Sequence, residues 1–79
     1  MSFLLFLLIS DQVKCEAEAA YMAKHDIRGH VFGTIGNFEG VGFGRKNPPT
    51  CAPRKAMRLT GDASVQGPNG MWYRVRSWR

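Results

Sequence analysis

With 79 residues the chain has room for one small domain, and a chain of this size buries only about 60% of the surface its unfolded form exposes, which excludes a multidomain enzyme with a large core. The formal net charge is +5, unevenly spread: residues 1–20 hold Lys14 against Asp11, Glu16 and Glu18, whereas Arg45 to Arg79 holds eight cationic residues against Asp62 alone. Such a field attracts phosphates, anionic lipid headgroups or acidic glycans and weakens with salt; it also serves simply to keep a small domain soluble.

The chain starts with seven consecutive apolar side chains, Phe3 to Ile9. The run is too short to cross a bilayer as a helix, which takes about 20 residues, and it fits the h-region of a secretory signal, which runs roughly 7 to 15. Residues 1–10 are therefore read as an export segment, followed by one domain over residues 11–79 that is secreted or held in the cell envelope. No Lys or Arg precedes the run, and small residues that suit cleavage appear only from Ala17 to Ala20. A buried apolar strand is the alternative. No transmembrane helix is expected.

Ser10 or Asp11 can cap a helix, and DQVKCEAEAAYMAKH places acids early and Lys24 and His25 late, in line with the helix dipole. Val13, Ala17, Ala20, Tyr21 and Lys24 form the expected packing stripe, with Met22 and Ala23 beside it, and Gly29 is the expected C-cap. Glycines at 33, 36, 40, 42 and 44 then rule out helix and suggest a loop leading into a short strand over Glu39 to Phe43. Asn47-Pro48-Pro49 breaks the chain, and Lys55 to Leu59 reads equally as strand or turn.

The run from Asp62 to Gln66, then Gly67-Pro68-Asn69-Gly70, then Met71 to Trp78 predicts a hairpin with an Asn-Gly turn. Alternation puts Trp72, Arg74, Arg76 and Trp78 on one face, with guanidinium groups against indoles, and leaves Tyr73 and Val75 for the core. The fold expected is α+β: one main N-terminal helix packed on a small antiparallel sheet with a C-terminal hairpin.

The polar candidates are few. His30 follows the helix and Glu39 opens the Gly-Val-Gly strand, so a carboxylate can orient an imidazole and leave its other nitrogen for a metal, water or ligand; bracing of the loop by Glu39 is the alternative role. Cys15 and Cys51 are read as one disulfide in an oxidising compartment, worth roughly 3 to 4 kcal/mol, or else as two separate thiols. Neither lies in a Cys-His nucleophile context, no CxxC or HxxxH cluster completes a zinc site, and Gly40 to Lys46 lacks the spacing of a phosphate loop.

The order of AYMAKH, GHV, a glycine-rich loop, FEGVGFG and GPNG before WYRV resembles the CAP superfamily of cysteine-rich secretory, venom-antigen and plant pathogenesis-related proteins, and within it the short bacterial CAP-like proteins. The likeness spans most of residues 13–79. It implies that His30 and Glu39 stand at two of the four positions of that family's metal-binding cavity. The other two, a second glutamate and a second histidine, have no counterpart between Gly44 and Leu59. The resulting expectation is a non-enzymatic binding or interaction module with a His30–Glu39 cleft, with Arg74 and Arg76 as further ligand-binding residues. No cofactor is expected beyond weak divalent-metal binding through His30. Its partner would be an anionic glycan, lipid or protein surface, and export argues against nucleic acid. Two alternatives stand beside it: a degenerate hydrolase in which the His30–Glu39 dyad activates water, and a nucleic-acid or anionic-surface binder using Arg54, Lys55, Arg58, Arg74, Arg76 and Arg79.

Overall fold

A computed structural model describes residues 9–79; the proposed export run, apart from Ile9 and Ser10, lies outside the described residues. Helix α1 spans Asp11–His25. Ser10 caps it, its Oγ accepting from the Val13 N–H at 3.2 Å while its carbonyl accepts from Lys14.

The helix ends before the expected glycine. Asp26 adopts the left-handed conformation (φ 50°, ψ 49°), and the amides of Asp26 and Ile27 both donate to the Met22 carbonyl. The Ile27 bond is the 6→1 bond of a Schellman motif and the Asp26 bond the 5→1 bond of an αL cap, and Asp is among the few residues other than Gly that tolerate this conformation. The Asp26 carboxylate is also held from outside the helix, by the Tyr73 hydroxyl and by Arg28. A tertiary contact therefore chooses the stop, leaving Gly29 in the following loop.

The packing stripe also differs from the expected one. The buried residues of α1 are Asp11, Cys15, Glu18, Ala19, Met22 and Ala23, whereas Val13 and Tyr21 are 48% and 40% exposed. The spacing of 4, 3, 1, 3 and 1 residues is a regular helical face. It was hidden in the sequence because two of its six members are acids.

Strands β1 (Phe38–Gly44), β2 (Leu59–Gln66) and β3 (Trp72–Trp78) form an antiparallel sheet of order β1-β3-β2. The architecture is α+β, with β2 and β3 making the C-terminal hairpin. Its turn runs through Pro68, Asn69 and Gly70: Gly70 donates to the Gly67 carbonyl, Gly67 donates to Met71, and only Gly70 has positive φ, at 82°. The connection is thus a three-residue loop ending in a glycine, not a two-residue Asn-Gly turn. No regular structure forms over Lys55–Met57, and β2 begins at Leu59.

On the central strand, Tyr73, Val75 and Ser77 point toward α1 and are fully buried, while Arg74 and Arg76 point the other way. The helix can come close because β2 offers Gly61 beneath it: a Cβ there would lie 2.7 Å from Cys15 Sγ and 2.8 Å from Ser77 Oγ. A slip in pairing at Thr60 lets that hydroxyl donate to Asp11 Oδ2 at 2.7 Å and meet Ser77 Oγ at 2.9 Å. Arg79 closes the network with two bonds to the Asp11 carboxylate, which hold its pKa below the ordinary value against the opposing effect of burial.

The second face of the sheet is covered by the loop after β1. Gly40 and Gly42 leave no room for a side chain because the carbonyls of Cys51 and Pro49 sit where each Cβ would be. Arg74 grips Asp62 with two bonds and reaches the Pro48 carbonyl, and Arg76 Nε donates to Thr50 Oγ1 at 2.8 Å.

The expected Cys15–Cys51 disulfide is absent, and both thiols are free. The reason is topological. Cys15 is buried between helix and sheet against Ser77, whereas Cys51 is exposed in the loop on the opposite face, so the sheet stands between them. Burial pushes the Cys15 thiol up from its ordinary pKa. Among the described residues no helix is long and apolar enough to cross a membrane.

Candidate functional site

Glu39 is the second residue of β1 and pairs across from Ser77, so alternation points its side chain to the helix side, where it is fully buried. A buried carboxylate needs partners. Two come from the glycine-rich loop between α1 and β1: the Ile35 amide donates to Oε1 at 2.8 Å, and His30 Nδ1 lies 3.2 Å from Oε2. The glycines make this path possible, since Gly33 and Gly36 have φ of 83° and 68°. Glu39 thus both braces the loop and meets the imidazole. His25 stands apart at the end of α1, its ring 4.3 Å from that of Tyr21.

A third residue enters that the sequence reading did not select. Glu18 is fully buried at the middle of the inner face of α1; its Oε1 accepts from the Phe32 amide at 3.1 Å, and its Oε2 receives no N–H or O–H donor from the described residues, which leaves it a proton shared with the Glu39 carboxyl. One ligand atom each from Glu18, His30 and Glu39 lie within 4.8 Å of one another. The available signal was its position: Glu18 is three residues after Cys15 and four before Met22, on one helical face.

Two carboxyl groups in one apolar pocket cannot both ionise cheaply. Burial, and then hydrogen bonding to Glu39, raise the Glu18 pKa to about 7, with the amides of Phe32 and Val31 pulling in the opposite direction. Near neutral pH the pair therefore holds a proton that is easily lost. His30 is the member open to solvent, with 53% of its side chain exposed. Beside the cluster is a cavity of about 440 Å³, lined by Lys14, Ala17, Phe32, Thr34 and Ile35. Phe32 and Ile35 are the residues whose amides hold the two carboxyl groups.

Arg74 and Arg76 do not join this cluster. They lie on the opposite face of the sheet and are spent on Asp62, Pro48 and Thr50, with the Arg76 guanidinium carbon 4.9 Å from the centre of the Trp78 ring. The expected arginine–indole contact is present, but as internal structure. His30 and Glu39 on one side and the two arginines on the other cannot bind one small ligand together.

A cation held by three such ligands sits about 2.0–2.2 Å from each donor, which puts the donors at most about 4.4 Å apart. The three donor atoms lie within 4.8 Å of one another, close to that limit. Glu18, His30 and Glu39 are thus a donor set that could hold a divalent cation. No protein family matches the chain, and no curated protein or solved structure matches it.

Proposed function

We propose that the chain is a small non-enzymatic binding module of CAP-like type, working outside the cell or in its envelope, whose functional site is the Glu18–His30–Glu39 cluster, and that this site takes a divalent cation of the zinc class. The observation that carries the reading is the convergence of two buried carboxyl groups and an imidazole, one donor atom from each within 4.8 Å, with no N–H or O–H donor from the described residues on Glu18 Oε2. Without metal, a proton shared with Glu39 offsets the repulsion between the two buried carboxyl groups, and a cation in its place neutralises both. Two carboxylates and one neutral imidazole neutralise the ion and leave it open coordination positions, through which it can hold a donor group of a partner.

The export reading rests on Phe3 to Ile9. The hydrolase alternative draws less support, because Glu39, the carboxylate of its dyad, is fully buried and also holds the Ile35 amide.

Calorimetric titration with Zn²⁺ tests the proposal, carried out in a Cys51→Ser background because an exposed thiol also binds the ion. One equivalent should bind, with affinity at least tenfold weaker in both His30→Ala and Glu18→Gln. Bound metal at a hundredfold excess over Kd should stabilise the fold by about 2.7 kcal/mol. Absence of a saturable heat, or equal binding by both variants, contradicts the proposal.

A further inference from the structure

On the opposite side of the sheet from the carboxyl cluster, the start of β1 and the loop after it enclose a cleft of about 550 Å³. Phe38, Pro53 and Met57 supply apolar walls, and Arg54 and Lys55 supply two exposed cations. The loop is anchored rather than loosely laid down: its preceding residues Pro48 and Thr50 are bound by Arg74 and Arg76. Phe38 is fixed too, its ring edge-on to Trp78 with centroids 5.6 Å apart.

The charge at this cleft is uncompensated. Between Arg45 and Gly61 there are five cationic residues and no acid, and none of the five makes an ion pair among the described residues. Asp62, whose side chain lies on this face, is taken up by both nitrogens of the Arg74 fork. Apolar walls with two cations at the lining, in a volume of this size, are the make-up of a small-ligand pocket. A run of stacked bases fits less well, because it needs successive open aromatic faces, and beside Phe38 the neighbouring Trp78 is only 7% exposed, with Arg76 against its ring.

We infer that the cleft between β1 and the Ala52–Met57 loop is a second binding site, for a small organic anion that joins a phosphate or carboxylate head to a ring-sized apolar body. The head meets Arg54 and Lys55, and the body lies against Phe38, Pro53 and Met57. This site is independent of the carboxyl cluster, which faces the other side of the sheet.

Titration of the full chain with phenyl phosphate, followed by amide shifts in NMR spectra and by tryptophan fluorescence, tests the assignment. Inorganic phosphate and benzyl alcohol serve as the head alone and the body alone. Phenyl phosphate should move the amides of Phe38, Arg54 and Lys55 and bind at least tenfold more tightly than either fragment, more weakly as salt is raised. The Arg54→Ala/Lys55→Ala double variant should lose at least tenfold in affinity at an unchanged melting temperature, because neither side chain holds the fold together, and Glu18→Gln should bind as the parent does. Equal affinity for phosphate and phenyl phosphate, shifts centred on His30, or full binding by the double variant would overturn the inference. Binding to vesicles of anionic phospholipid without binding to soluble phenyl phosphate would likewise overturn it, in favour of a membrane surface.

Discussion

Glu18 is a carboxyl group buried beside another carboxyl group, and the consequences can be measured. Its pKa is raised from 4.5 to about 7 on folding, so between those values the folded state holds more proton than the unfolded one. The contribution of Glu18 to stability is complete below about pH 4.5 and is lost as pH climbs toward about 7, by about 1.4 kcal/mol for each pH unit separating the two values. Metal-free protein should therefore melt at progressively lower temperature from pH 5 to 7.5. Glu18→Gln should flatten that slope and melt higher than the parent at pH 8, and an identical slope in the two proteins would show that Glu18 ionises normally. Glu39 makes a different prediction, because the Ile35 amide depends on it. Glu39→Ala should cost about 1–3 kcal/mol in chemical denaturation and speed hydrogen exchange at Ile35, whereas Glu39→Gln keeps an acceptor oxygen and should lose less.

At the scale of elements, legibility followed locality. The strand expected over Glu39 to Phe43 and found over Phe38–Gly44, the last strand Trp72–Trp78 and a helix start at Ser10 or Asp11 were readable because glycine spacing, alternation and capping chemistry are written in neighbouring residues. The His30–Glu39 approach was readable in the same way, nine residues apart across one loop. What was not readable depends on distant partners: the helix stop at Asp26 is held by Tyr73, and the path of the loop through Pro48–Cys51 is held by Arg74 and Arg76. The inner face of α1 was missed because its two acids look like solvent-facing residues until Thr60, Arg79 and the Phe32 amide are brought to them. The close approach of α1 to β2 gives a direct test. Gly61→Ala should cost about 1–3 kcal/mol by forcing Cys15 and Ser77 apart, while Gly29→Ala, with nothing within 4 Å of the added carbon, should be neutral or stabilising by up to about 1 kcal/mol. Comparable melting temperatures for the two variants would contradict the packing described for Gly61.

For the whole molecule, the sheet acts as a partition. The carboxyl cluster and Cys15 lie on the helix side, and Cys51, the two sheet arginines and the cationic loop lie on the other. One thiol should react with Ellman's reagent in the native protein and two after denaturation, and reductant should leave the melting temperature unchanged; no reactive thiol in the native state would indicate a bridge after all. The same organisation limits where an export segment could end. Cleavage among Ala17 to Ala20 would remove Asp11 and Cys15 from the core, whereas removal of residues 1–8 keeps the Ser10 cap and the Asp11–Arg79 pair. A chain beginning at Ile9 should retain its circular dichroism spectrum and cooperative melting.

The central claim is that Glu18, His30 and Glu39 form one cation site closed by a proton when metal is absent. Its most direct test is the pH titration of the Glu18 side-chain carboxyl carbon by NMR, without and with one equivalent of Zn²⁺. The account predicts a midpoint near 7 in the free protein and a carboxylate signal already at pH 6 once the metal is bound. An ordinary midpoint near 4.5 in the free protein, or a titration that Zn²⁺ leaves unchanged, would contradict it.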